Sequence, residues 1–465
     1  MKLIKKFIET SAVYLFGKIA TYIVTFLMLR FYTSNITPAN YGDYEYIYSL
    51  INVIIPALFL EVWSGVLRFA IGREDEDRNK VISTTFGMLV PAVIVYTAGY
   101  YLISTWLQWP LKWTIYVFAV LFMLVNIMMM ISRALEKNIL FVVSGIIGGL
   151  CNAGVGVFCV RVLHLQTEAM MYAMIANYLV QIVVLAVGTK IWRYLRITNM
   201  CKKTAKSMLI FCAPLLPNTI LYYINTNYYM NVVRSYLGSD ALGLFTVSTK
   251  FCIVVSFVVS VFHLAWQEIT YSIYQDQNKK DVYRIGLDVF LYMAMLGTLL
   301  LLPLAKLLFP VFIGSEYSAA NAYVPAYYST VFFTAVSGFL YNTLAAEKIT
   351  VFHPVTRLVS AAVNLILMYT LIGKIGIYAV ILGAVASSAV EVFLLSFIIK
   401  KKIDLYVGMK KIWLFCGLYV VAALAYTYCG TLVNGCLIAV TAVVGIGYFV
   451  YDHRDVCLKF VWRKK

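Results

Sequence analysis

IYAVILGAVASSAVEVFLLSFII, residues 377–399, carries a single charge, Glu391. Its apolar residues show no alternation of period two, and neither do those of residues 412–428, which excludes a transmembrane β-strand. Uninterrupted apolar runs of about 20 residues read as helices that cross a bilayer. The rest of the chain follows the same pattern. It is 62% hydrophobic and 13% charged with a mean hydropathy of +0.84, outside the range of soluble globular domains. The fold class is therefore an all-α polytopic membrane protein with about fourteen transmembrane helices. The runs place them at 10–33, 44–70, 81–107, 113–132, 139–161, 169–189, 207–235, 241–272, 285–309, 321–345, 350–372, 377–399, 412–429 and 432–450.

The net charge of +17 comes from 38 basic and 21 acidic residues. In a soluble protein it would suggest a nucleic-acid partner, but here the cations cluster in every second connection. Lys2, Lys5 and Lys6 precede the first helix. Lys190, Arg193, Arg196, Lys202, Lys203 and Lys206 follow the sixth, and Lys400–Lys402 follow the twelfth. The alternate connections, such as 33–43, hold almost none. By the positive-inside rule both termini are cytoplasmic, which requires an even number of spans. Localisation in the cytoplasmic (inner) membrane and contact with the lipid bilayer are expected, and nucleic acid is not. No cleavable signal is expected, because the first segment is too long and contains Lys18.

The nine cysteines contain no CxxC pair and most fall within apolar runs, as small buried hydrophobes rather than disulfides or metal ligands. The four histidines have no metal-ligand spacing, and no P-loop, dinucleotide fingerprint or GxSxG occurs. Neither a catalytic residue nor a metal or organic cofactor is expected.

The longest basic connection, 190–206, divides the first twelve helices evenly. Tyr14, Lys18, Thr21 and Thr25 share a 4-3-4 spacing that puts them on one helical face, and Asn218, Tyr222, Asn225 and Tyr229 repeat it 204 positions later. Gly42 with Gly243, and Tyr172-Ala173 with Tyr378-Ala379, have similar offsets. The chain thus reads as two pseudo-symmetric six-helix lobes, 1–195 and 196–403, followed by two C-terminal helices and a basic tail, 404–465. A substrate site is expected between such parallel repeats.

Charged residues inside membrane-length runs are costly and mark function. Lys18, Lys250 and Arg357 fall near mid-depth as candidate contacts for an anionic substrate, while Arg30 and Arg68 lie nearer helix ends where long side chains can snorkel to water. Thr21, Thr25, Asn218, Tyr222 and Asn225 would add polar lining. Glu61, Glu268 and Glu391 are either coupling groups for protons or sodium or structural partners of the cations. Pro214 and Pro217 predict a bend in 207–235.

Several stretches resemble the polysaccharide and oligosaccharide flippases of the multidrug/oligosaccharidyl-lipid/polysaccharide (MOP) exporter superfamily, the Wzx-like proteins. Arg30 followed by Pro38-Ala-Asn-Tyr-Gly-Asp-Tyr44 resembles their first turn, and Tyr236-Leu-Gly-Ser-Asp-Ala-Leu-Gly243 through Lys250 resembles its counterpart in the second lobe. Phe309–Tyr317 with Tyr323-Val-Pro325, and Gly376–Gly383, resemble later segments. Asn35-Ile36-Thr37 and Trp266-Gln267-Glu268 depart from the common pattern. The resemblance implies a MATE-like fold and alternating access around a cationic central cavity. It also implies transport of undecaprenyl-diphosphate-linked repeat units for O-antigen, lipopolysaccharide, capsule or exopolysaccharide synthesis. A monomeric transporter working beside glycosyltransferases and a glycan polymerase would follow. An ion-coupled multidrug exporter and a peptidoglycan-precursor (lipid II) flippase are the alternatives within the superfamily.

Overall fold

Thr37 is in extended conformation and Pro38 follows at the first helical position, where a missing N–H costs nothing, so one helix ends and the next begins here. The structure is a computed structural model that describes residues 22–71, 75–106, 111–252, 277–349 and 351–452, with 259, 262, 263, 266, 267, 269, 270 and 273. Among them there is no strand. The helices are α1 Tyr22–Thr33, α2 Pro38–Leu58, α3 Val62–Ala70, α4 Asp75–Trp106, α5 Lys112–Ala134, α6 Asn138–Arg161, α7 Thr167–Thr189, α8 Lys202–Cys212 and α9 Leu216–Thr226. They continue as α10 Tyr229–Lys250, α11 Lys279–Phe312, α12 Val324–Ala346, α13 Phe352–Ile375, α14 Ile377–Ile403, α15 Met409–Tyr428 and α16 Thr431–Asp452. Among the described residues nine helices are long and apolar enough to cross a bilayer, or ten if the bent α2–α3 pair is one span.

The chain forms two compact units, 1–223 and 224–465. The division falls beyond the basic connection, within α9, because α8 packs on α3 and α4. Helices α15 and α16 pack on α11 and belong to the second unit. In the first unit, α7 packs on α5 and α6, with Phe118 of α5 stacked on Tyr178 of α7 at 5.5 Å. In the second, α14 packs on α12 and α13, and Phe332 stacks on Phe415 at 3.8 Å.

The two units repeat one backbone plan. Helices α5 and α12 are both 23 residues long and start 212 positions apart. Both end in the same turn. Amides of Leu135, Glu136 and Lys137 bond to the carbonyls of Ile131, Arg133 and Ser132, and those of Glu347, Lys348 and Ile349 bond to Thr343, Ala345 and Leu344. Glu136 and Lys348 take the left-handed conformation that closes such helix ends. Gly42 and Gly243 stand at matching places after Pro38 and after the break at Gly238. Tyr172 and Tyr378 do not, since the first lies a turn deeper in its helix than the second. The repeat spacing drifts from about 201 to 214 positions along the chain, because the connections differ in length.

Two expected helices are broken. The segment 44–70 bends by 58° between α2 and α3, and Leu60 and Glu61 are both left-handed (φ 51°). Helix 207–235 is divided into α8, α9 and the start of α10, and Gly238 (φ 88°, ψ 173°) interrupts α10 itself. Only glycine reaches that conformation cheaply.

Candidate functional site

In the first unit the polar feature is the α2–α3 break. Pro56 removes one backbone donor from α2, and the helix then closes through Glu61 N–H to Pro56 C=O at 3.0 Å. Glu61 becomes the residue before α3, so its carboxylate sits at the positive end of that helix. Thr219 of α9 lies within hydrogen-bonding reach of the half-buried carboxyl. Two successive left-handed residues without glycine store on the order of 1–3 kcal/mol each, strain that persists where the surroundings enforce it.

The second unit holds a denser cluster on α13. Arg357 Nε lies 3.9 Å from Glu391 Oε1 of α14, with the two side chains about 25% and 16% exposed. That separation is a charge contact longer than a hydrogen bond. Asn225 donates from Nδ2 to the Arg357 backbone carbonyl at 3.5 Å. One turn before Arg357, the His353 ring stacks on Tyr341 with centroids 3.6 Å apart. The i, i+4 spacing on α13 puts His353 and Arg357 on one helical face. A cation, a carboxylate, an amide and two rings therefore meet within the second unit.

The structure brings together three of the residues singled out in the sequence: Arg357, Glu391 and Asn225. Arg357 sits five residues inside α13, roughly 7.5 Å along the axis. Lys250, half-buried, is the last residue of α10. Arg30 and Arg68 are exposed, and Arg68 occupies the last turn of α3. Asn218 and Tyr222 of α9 and Thr25 of α1 are exposed as well. Lys18, Thr21 and Glu268 lie outside the described residues. His353, Tyr341 and Thr219 were not singled out. The His353–Arg357 spacing was visible in the sequence, whereas the other two contacts join separate helices. Among the described residues no cluster of His, Cys, Asp or Glu could hold a metal ion.

The fold is similar to that of the lipid II flippase MurJ in an inward closed conformation, with a TM-score of 0.73 at 14% identity over 97% of this chain and 100% of that one. It is also similar to an inward-facing multidrug resistance MATE family transporter of the MOP superfamily, with a TM-score of 0.65 at 12% identity over 82% of this chain and 94% of the other. An outward-facing MATE transporter matches with a TM-score of 0.59 at 13% identity over 89% and 96%. At these identities the likeness shows the fold: an all-α, MOP-type polytopic membrane protein. No curated protein matches in sequence. The sequence profile of the family described as "Polysaccharide biosynthesis protein" matches residues 35–322, well over half of the chain, and the chain belongs to that family.

Proposed function

We propose that this protein is a flippase that carries polyprenyl-diphosphate-linked oligosaccharide repeat units across the cytoplasmic membrane by alternating access. It would act as a transporter and not as an enzyme, with both termini in the cytoplasm, and would take its substrate from glycosyltransferases and pass it to a glycan polymerase. The observation that supports this most is Arg357, a guanidinium held inside a membrane helix with the Glu391 carboxylate at 3.9 Å. A planar guanidinium offers a fork of donors that matches phosphate oxygens. Lys250, and Lys18 by its place in the sequence, would add positive charge along the path. Such cations replace the water that a diphosphate loses on leaving the aqueous phase.

Glu391 competes with the diphosphate for Arg357. When Glu391 is neutralised by a proton or by sodium, Arg357 is released to the substrate, and when it ionises the substrate is expelled. Glu61, at the α2–α3 break, is a second candidate for coupling. The Tyr341–His353 stack supplies a flat surface of the kind sugar rings pack against. A peptidoglycan precursor is the second substrate class, favoured by the likeness to a lipid II flippase, and it presents the same diphosphate.

The experiment is glycan export from cells carrying Lys18→Ala or Lys250→Ala, with membrane insertion checked by immunoblot. Loss of surface glycan with lipid-linked units accumulating in the inner leaflet is expected. Wild-type export in both variants would overturn the anion path.

A further inference from the structure

The connection between α7 and α8 is an ordered, one-signed surface. Residues 190–206 contain Lys190, Arg193, Arg196, Lys202, Lys203 and Lys206 and no acid. It is tied down, not loose. Ser83 of α4 donates to the Tyr194 carbonyl at 2.6 Å and accepts from the Arg196 amide at 3.2 Å, while Thr84 accepts from the Cys201 amide at 3.1 Å. Two short 3-10 turns, Ile191–Arg193 and Ile197–Asn199, complete the path. Ile191 is buried, but Trp192, Leu195 and Met200 are 58%, 40% and 45% exposed. Large apolar side chains thus project between the cations.

None of these six cations forms an ion pair among the described residues. In the second unit Lys400, Lys401, Lys402 and Lys410 likewise form no ion pair among the described residues, while three other lysines are paired. Lys279 pairs with Glu347 at 2.9 Å, Lys280 with Asp404 at 3.6 Å and Lys411 with Asp288 at 2.5 Å. The units differ at one equivalent position, the left-handed residue that closes α7 and α14, which is Lys190 in one unit and Asp404 in the other. Among the described residues, no carboxylate lies within ion-pair distance of the six cations of 190–206.

We infer that the 190–206 connection is a docking platform for anionic phospholipid headgroups of the adjacent leaflet, with Trp192, Leu195 and Met200 set into the interface. The occupant follows from the chemistry: six cations without an ion pair among the described residues attract negative charge, and exposed Trp and Leu at a helix end belong at the boundary between headgroups and acyl chains. The bias of basic residues assigns this leaflet to the cytoplasmic side. The platform fixes the end of α7 and the start of α8 against the membrane surface, and it stands independently of which substrate is transported.

The test uses the full-length protein in nanodiscs of phosphatidylcholine with increasing phosphatidylglycerol, with retained lipids counted by native mass spectrometry. Wild type is expected to keep phosphatidylglycerol over phosphatidylcholine, and that preference is expected to fall as salt rises. In R193Q/R196Q/K202Q/K203Q it should drop by at least ~10-fold, since each basic residue near an anionic surface contributes about fivefold. Equal retention in the quadruple variant, or a wild-type preference that salt does not change, would overturn the platform. If the variant fails to fold, the salt series on wild type still decides.

Discussion

Removing the charges of Arg357 and Glu391 one at a time and then together separates a structural ion pair from a substrate site. At 3.9 Å and an effective dielectric constant of about 20, the attraction is about 4 kcal/mol before desolvation is counted. Withdrawing two largely buried charges from water opposes most of that, so the expected coupling is about 1–2 kcal/mol in a double-mutant cycle. R357Q and E391Q should each lower the melting temperature in detergent, because each leaves its partner buried without its counter-charge. R357Q/E391Q should recover much of the loss, as buried pairs replaced together by neutral groups often do. Export decides between the two roles. If the pair only holds α13 to α14, the double variant regains export along with stability. If Arg357 receives the substrate diphosphate, the double variant is stable yet exports no better than R357Q. Full export by R357Q/E391Q would refute the proposed role of Arg357.

Two further outcomes are expected. Gly383 of α14 lies so close to α13 that a Cβ there would meet Asn364 Oδ1 at 2.7 Å and the Asn364 carbonyl at 3.0 Å. Gly383→Val should therefore destabilise the second unit by about 2 kcal/mol or more, and an unchanged melting temperature would contradict that packing. Cys201 precedes α8, and its thiol is held below the ordinary thiol range by hydrogen bonds from the Thr204 amide and hydroxyl and from the Lys203 amide. A lowered pKa means more thiolate at a given pH. Its alkylation by a membrane-impermeant maleimide should accordingly level off at lower pH than that of a free thiol, and Thr204→Ala should move the profile upward. If the positive-inside assignment holds, the reagent acts only from the cytoplasmic side, and labelling from the outside would reverse the topology.

Element type was legible because helices in lipid must satisfy their own backbone bonds, so apolar length alone announces them. Boundaries were less so. Pro38 and Gly238 are visible punctuation. The α2–α3 break had only Pro56 as a signal. Its geometry depends on Leu60 and Glu61 accepting a left-handed backbone, which neither residue type favours and only the surrounding helices impose. Arg357 and Glu391 were each legible as charges inside apolar runs. Their contact was not, because 34 residues and a helix turn separate them, and which faces of α13 and α14 meet depends on small residues such as Gly383 at the crossing. His353 is legible from its i, i+4 spacing to Arg357, but its stack on Tyr341 joins separate helices and leaves no local signal.

The repeat itself supplies an internal control for the α13–α14 charges. Helices α6 and α13 are both 24 residues long and begin 214 positions apart, and the caps of α7 and α14, Lys190 and Asp404, have the same offset. On that register Arg357 corresponds to Val143 and Glu391 to Asn177. The first unit therefore builds its equivalent crossing with a neutral pair of positions, where Asn177 accepts a hydrogen bond from Gln181 at 2.7 Å. A valine and an asparagine are enough to pack two such helices together. A cation and a carboxylate at the same places carry a desolvation cost that the neutral solution avoids. The backbone plan does not require that cost, which supports the role proposed above for the charges of the second unit. Substituting the neutral residues of the first unit at the equivalent places, R357V/E391N, should then preserve folding and remove export. A variant that folds and exports normally would show the pair to be dispensable.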